Sequence, residues 1–285
     1  ELIIWCLPLI LAPSAFVLYK DTSRAFHNFI DAASGHNWVA VDGGKYVSDT
    51  MHTALSGPVT FSISVLFGTL VGLTISSLYV RQRNVHKSLI GIFEEGRELE
   101  LYLQEFPEPY NLQCQSLLRE MLSKLISNFQ CGDMNPRALR KGQELPALTL
   151  KVGDLVKEGT CPGLIVGQAY DSLGRLKRYR LDLISDLTST FAPAHYWNMV
   201  ILASILLMVF LLETDNAGMQ FLVDFQLSIC WALLIGTYSL LAAIIFDLTT
   251  PFSGMFSSVT VADVDTEALR AYALKLENDP SITAD

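Results

Sequence analysis

The sequence predicts an all-α integral membrane protein with four transmembrane helices and a helical extramembrane domain inserted between spans 2 and 3. Three observations carry that reading. The chain of 285 residues is 51% hydrophobic and only 17% charged, where a soluble domain carries about a quarter charged residues. It contains uncharged runs long enough to cross a bilayer. Fifteen of its 20 Lys and Arg stand between residues 81 and 194, and cations concentrate on the side of a membrane that retains the loop.

The fourth span is the clearest. Leu227–Phe246 carries no charge, and about twenty residues at 1.5 Å rise make roughly 30 Å of helix. Asp247 follows, then Pro251, Phe252, Ser253 and Gly254 as a stop. The last turn of a helix is partially negative and favours a cation, so Asp247 stands in an unfavourable place. It is either hydrated at the interface or held by an Arg or a backbone N–H from another segment.

The first span is Leu2–Tyr19, uncharged and containing Pro8 and Pro13, which membrane helices tolerate better than soluble ones. Its cations lie after it, unlike those of a signal peptide. The first residue is Glu1 rather than Met, which fits either a removed targeting peptide or a trimmed chain. Residues 20–55 read as a polar loop on the opposite side of the membrane. Three histidines there, His27, His36 and His52, stand near Asp31, Asp42 and Asp49. No two histidines are four apart, and a lone His–Asp pair offers too few ligands for a metal, so they read as solvated.

The second span is Ser56–Val80, completing a first transmembrane pair over residues 1–80. Thr60, Ser64, Gly68, Gly72 and Ser76 recur every four positions, and Gly68–Gly72 is a G-x-x-x-G that lets two backbones approach closely. A weaker seven-residue repeat runs through Ser62, Thr69 and Ser76. The first stripe suits a crossing helix and the second a pore face; both readings stay open.

Residues 81–194 form the polar domain. Arg81, Arg83 and Lys87 open it, and Arg175, Lys177, Arg178 and Arg180 gather before the third span. Arg81, Arg83, Arg178 and Arg180 would sit near lipid headgroups or gather anions at a channel mouth. Val85, Leu89, Ile92, Leu99, Leu103 and Phe106 keep 4-3 spacing with Gly96 in the missing place, and Leu118, Leu122, Leu125 and Phe129 repeat it. Pro107-Glu108-Pro109 separates them, so a helical hairpin is expected, each helix with one apolar seam. Cys131–Gly167 reads mainly as loop with one or two short helices, and helical spacing resumes over Tyr170–Phe191. The second transmembrane pair occupies residues 195–250, its third span introduced by Tyr196 and Trp197 at the interface and closed by Glu213. Residues 251–285 are an acidic tail with a short helical pattern at Thr266–Leu276.

Net charge is −9, which disfavours nucleic acid as a partner. Five scattered cysteines with no CxxC pair form neither a disulfide framework nor a zinc site. No Walker loop, H-E-x-x-H, nucleophile elbow or dinucleotide fingerprint occurs, so no enzyme is expected, nor any catalytic residue.

Three stretches resemble the bestrophin-like domain family of four-span proteins: Phe67-Gly68-Thr69-Leu70-Val71 through Tyr79-Val80-Arg81-Gln82-Arg83; Ser189-Thr190-Phe191-Ala192-Pro193-Ala194-His195-Tyr196-Trp197 with Phe210-Leu211-Leu212-Glu213; and Phe246-Asp247 through Pro251-Phe252-Ser253-Gly254. The last two look most similar to the algal, diatom-type branch. That family is of unassigned function; its similarity to true bestrophins implies a pentameric anion channel whose second span lines the pore. This sequence departs from it in the extra residue of Pro251–Gly254 and in lacking the paired phenylalanines of the bestrophin neck. The branch implies a plastid thylakoid membrane, with residues 81–194 and both termini on the stromal side. Two functions are consistent with this: a chloride or bicarbonate channel, or a non-catalytic structural or assembly subunit of a photosystem–antenna supercomplex. The partners are then the bilayer, further copies, or a larger membrane complex. No cofactor is implied for the channel; chlorophyll, carotenoid or lipid would accompany the second reading.

Overall fold

The structure, a computed structural model, describes residues 2–34, 38–42, 45–48, 56–130, 135–158, 161–213 and 224–249. Its elements are α1 (Leu2–Ser34), β1 (Trp38–Asp42), β2 (Lys45–Ser48), α2 (Ser56–Gln104), α3 (Tyr110–Gln130), α4 (Pro136–Lys141), α5 (Glu144–Glu158), α6 (Gly163–Thr188), α7 (Pro193–Glu213) and α8 (Asp224–Thr249). The fold is helical, with one small antiparallel ribbon pairing Trp38 with Ser48 and Val39 with Val47.

Three described helices are long and apolar enough to cross a membrane, within Thr60–Gln104, Pro193–Leu212 and Phe225–Thr249. Only 17%, 11% and 17% of their apolar windows is buried within the chain. Water would not tolerate so much bare hydrocarbon surface, so these helices face lipid or other chains. The protein is an integral membrane protein.

The chain divides into two compact units. The first comprises residues 1–77 and 191–246. Its core is a cluster of Tyr19, Leu211, Leu227 and Trp231, flanked by Phe26, Phe210 and Ile235. Phe210 stacks on Trp231 with ring centroids 5.7 Å apart, and Phe16 meets Phe225 edge-on at 5.6 Å. A Cβ on Gly236 would stand 3.1 Å from that of Ala12, so α1 and α8 approach closely there. The expected loop over 20–55 is corrected in its first part, because α1 continues to Ser34. Tyr19, Ser23 and His27 are buried at four-residue spacing, and that face, half polar, carries the helix past the uncharged run that ends at Tyr19. His27 is therefore no solvated loop residue: its Nδ1 lies 2.7 Å from the Ser23 carbonyl. His36, His52 and Asp49 lie outside the described residues.

The second unit comprises residues 78–190 and 247–285. The seam read from the sequence, Val85, Leu89, Ile92, Leu99, Leu103 and Phe106, is buried, as are Leu118, Leu122 and Leu125 of α3. The side chain of Phe129 lies outside the described residues. A Cβ on Gly96 would meet Leu122 at 3.0 Å, so the gap in the seam is where α3 sits against α2. The seams do not close on each other alone. Leu145, Leu148, Val152 and Leu155 of α5 and Leu173, Leu176 and Leu183 of α6 complete the core, making a four-helix bundle. This corrects the mainly-loop expectation for Cys131–Gly167: α5 runs fifteen residues and α6 begins at Gly163. Ion pairs lace the surface, Arg175 to Glu95 at 2.7 Å and to Glu98 at 3.3 Å, and Lys124 to Glu144 at 2.7 Å.

Candidate functional site

α2 presents two contrasting faces in its apolar half. On one, Val71, Thr74 and Leu78 are buried, with half-buried Phe67 meeting Tyr238 edge-on at 5.2 Å. On the other, about 140° away around the axis, Ser62, Ser64, Gly68, Thr69, Gly72 and Ser76 are exposed, and Thr60 is half-buried. A Cβ on Gly68 or Gly72 would meet nothing within 4 Å. So the close-approach stripe has no partner helix among the described residues of this chain, and the hydroxyl row beside it is uncovered. The Thr69 hydroxyl turns back to its own helix, donating to the Val65 carbonyl at 2.5 Å with the Leu66 carbonyl at 3.1 Å.

The sequence reading missed Thr74, the most organised hydroxyl on this helix. It is fully buried. It donates to the Leu70 carbonyl at 2.7 Å, and its oxygen lies 2.7 Å from His195 Nε2. With the hydroxyl proton committed to Leu70, the contact is satisfied by an Nε2–H donating to the oxygen. Phe191 stacks on the His195 ring, centroids 4.4 Å apart and 13° from parallel, and Met199 Sδ closes the group at 3.6 Å from the Thr74 hydroxyl. The Phe191–Trp197 stretch thus places the first turn of α7 on the buried face of α2. Pro193 opens that helix, where its missing N–H costs nothing.

The four cations singled out at a channel mouth separate into two kinds. Arg81 is engaged. Its Nε donates to the Asp186 carbonyl at 2.7 Å, Nη2 to Leu187 at 3.1 Å and Nη1 to Thr249 at 3.3 Å. These are carbonyls at the ends of α6 and α8, where helices leave acceptors without intrahelical donors. Arg180 donates from Nη2 to the Leu139 carbonyl and, at 3.4 Å, to Gly142; burial pushes its guanidinium below the usual arginine range. Both therefore tie backbone carbonyls of separate elements together. Arg83 and Arg178 are exposed.

Asp247 is 5% exposed, which removes the hydrated-carboxylate alternative. It lies in α8 two residues before Thr249, whose carbonyl Arg81 holds. Pro251, Phe252 and Gly254 lie outside the described residues. Burial, with Asp182 nearby, pushes the Asp186 carboxyl up, while Arg81 pulls it down. No group of three or more His, Cys, Asp or Glu could hold a metal among the described residues.

A helical membrane protein with an inserted four-helix bundle is the class these features define. The family model described as "Bestrophin-like domain" matches residues 27–262, and the chain belongs to the Bestrophin-like family. Solved structures of similar fold include a bacterial bestrophin homologue from Klebsiella pneumoniae, at TM-score 0.55 and 12% identity over 95% of this chain and 98% of that one. A leucine-to-threonine variant of the Klebsiella protein gives TM-score 0.55 and 13% identity over 98% and 99%. A structure described as a membrane protein with a proline-to-alanine substitution gives TM-score 0.54 and 13% identity over 98% of both chains. No curated protein matches this chain.

Proposed function

We propose that the protein is a subunit of an oligomeric anion channel, with the Ser62, Thr69 and Ser76 face of α2 lining the path. The observation that carries this reading is the uncovered hydroxyl row on an otherwise apolar helix. A hydroxyl facing acyl chains is limited to its own helix carbonyl, whereas one facing an aqueous path can swing its proton from that carbonyl to a passing anion. Gly68 and Gly72 keep the same side of the helix slim. Arg83, one heptad beyond Ser76 along α2, adds an exposed cation, and Arg178 another. Family membership supports the same reading, since bestrophins conduct anions; chloride and bicarbonate are the proposed ions. The thylakoid membrane, with residues 81–194 on the stromal side, belongs to the proposal through the branch-specific stretches ending in Glu213 and Gly254.

Purified protein in planar bilayers is expected to pass chloride or bicarbonate, and Thr69→Leu to reduce the current several-fold. Bilayers silent at all voltages would overturn this reading. The bare Gly68–Gly72 surface also favours a second one, in which this stripe packs on a helix of another complex and the protein is an assembly subunit beside photosystem and antenna proteins, with chlorophyll, carotenoid or lipid at the junction. Co-migration with a large pigmented complex in mild detergent would support that reading; migration only as a free homo-oligomer would exclude it.

A further inference from the structure

A cleft of about 1170 Å³ opens beside α4, α5 and α6 in the bundle, comparable with the largest common ligand pockets. It runs lengthwise between two antiparallel helices. At one end Arg180 of α6 bonds the carbonyls of Leu139 and Gly142, just before α5. Midway, a Cβ on Gly153 would stand 3.0 Å from the Tyr170 hydroxyl. Buried Leu155, Val166 and Ile184 and exposed Leu150, Val156 and Leu181 make its walls apolar. Its charge is gathered at the α4 end, where Arg140, Lys177 and Arg180 border it, and no Asp or Glu among the described residues lines it. Glu144, whose charge Arg180 feels, is held by Lys124 at 2.7 Å. Lys157, the cation at the other end, is paired with Asp154 at 3.1 Å. There the wall thins: Gly163 and Gly167 line the cleft, and a Cβ on either would meet nothing within 4 Å.

We propose that this cleft binds a free long-chain fatty acid, its carboxylate among Arg140, Lys177 and Arg180 and its chain laid along α6 toward Gly163. The charge matches at the head. Nη2 of Arg180 is spent on carbonyls, which leaves its Nε–H and Nη1–H groups to meet a carboxylate, and a guanidinium binds that group better than any other side chain does. The length matches along the tail. From Lys177 back to Gly163 is about 21 Å of helix, while an acyl chain spans one leaflet, about 15 Å or half of a hydrocarbon core. The close approach of Gly153 to Tyr170 narrows the groove midway and favours one chain over the two of a bilayer lipid. A small inorganic anion would leave the apolar walls bare, and a neutral chain would leave three cations unmatched. Such binding is independent of ion conduction.

The complete chain in phosphatidylcholine nanodiscs, stripped of bound lipid, is expected to bind labelled palmitate saturably, one per chain. Cys161 lies on the cleft wall and reports the tail. With Cys6, Cys131 and Cys230 replaced by alanine, palmitate should slow its reaction with a maleimide at least tenfold; Cys114 is fully buried, its thiol pushed up to about 11 by burial, and stays silent. Gly167→Leu fills the cleft from an exposed helical position, so it should weaken palmitate at least tenfold while the unfolding temperature holds or rises. Arg140→Glu with Lys177→Glu, also exposed, should weaken it as much. Hexadecanol binding as tightly as palmitate, or butyrate competing as well, would overturn the proposal. So would a Cys161 rate that palmitate leaves unchanged, or one already slow in the stripped chain, where a second copy or another segment covers the cleft. Displacement of palmitate by phosphatidylglycerol in the nanodisc would point to a bilayer lipid instead and overturn it too.

Discussion

The Thr74 oxygen lies 2.7 Å from Nε2 of His195, 121 residues further along the chain. A buried hydrogen bond between two apolar helices is costly to break from one side, because the remaining group keeps its desolvation without its partner. Thr74→Val keeps the shape and leaves Nε2 unpaired, so it should destabilise the protein by about 1–3 kcal/mol. Thermal unfolding in detergent checks this. His195→Phe combined with Thr74→Val should recover part of the loss, since both polar groups are then gone.

Arg81→Lys should cost more than its conserved charge suggests. An ammonium on a flexible stem cannot reach three carbonyls in the fork that guanidinium provides. The expected loss is about 2–4 kcal/mol, read as a lower unfolding temperature and faster proteolysis beyond Thr249. An unchanged melting curve would show that the clamp contributes nothing.

Two glycines should respond in opposite directions to alanine. A Cβ on Gly91 would stand 2.8 Å from three ring atoms of Tyr179, whereas one on Gly174 would meet nothing within 4 Å. Gly91→Ala should destabilise by about 1–3 kcal/mol through forced repacking. Gly174→Ala, on the exposed side of α6, should stabilise by up to about 1 kcal/mol through helix propensity.

Lys124 beside Glu144 holds the Glu144 carboxyl below the usual carboxylate range. A folded-state value below the unfolded one contributes stability above the unfolded value, and that contribution is lost as pH falls through the folded value. Glu144→Gln should therefore lower the unfolding temperature at pH 7, with the gap to the parent chain closing on acidification below about pH 4. A gap that stays constant across this range would contradict the assignment.

Legibility in the sequence followed periodicity. The seams of α2 and α3 were visible because their apolar residues keep one spacing, broken only at Gly96, and two of the stretches that carry the family resemblance hold Arg81 and the Phe191–His195 stack. α5 was hidden by punctuation: Pro146 and Gly153 suggested loop, yet Pro146 stands in the first turn, where a helix needs no N–H from it. α1 past Tyr19 was hidden because its buried face there includes Ser23 and His27, which a count of apolar residues ignores. The same bias hid Thr74, a polar side chain on the buried side, while its exposed hydroxyl neighbours stood out by spacing. Arg81 was legible as a cation but not as a clamp, since its acceptors lie more than a hundred residues away and are carbonyls that any sequence carries.

That distance also orders events during synthesis. Thr249 emerges from the ribosome 168 residues after Arg81, at about 5–20 residues per second. For at least several seconds the arginine stands without its last acceptor, until the final apolar helix is made and delivered to the bilayer. A nascent chain whose α8 fails to insert leaves that guanidinium short of the Thr249 carbonyl.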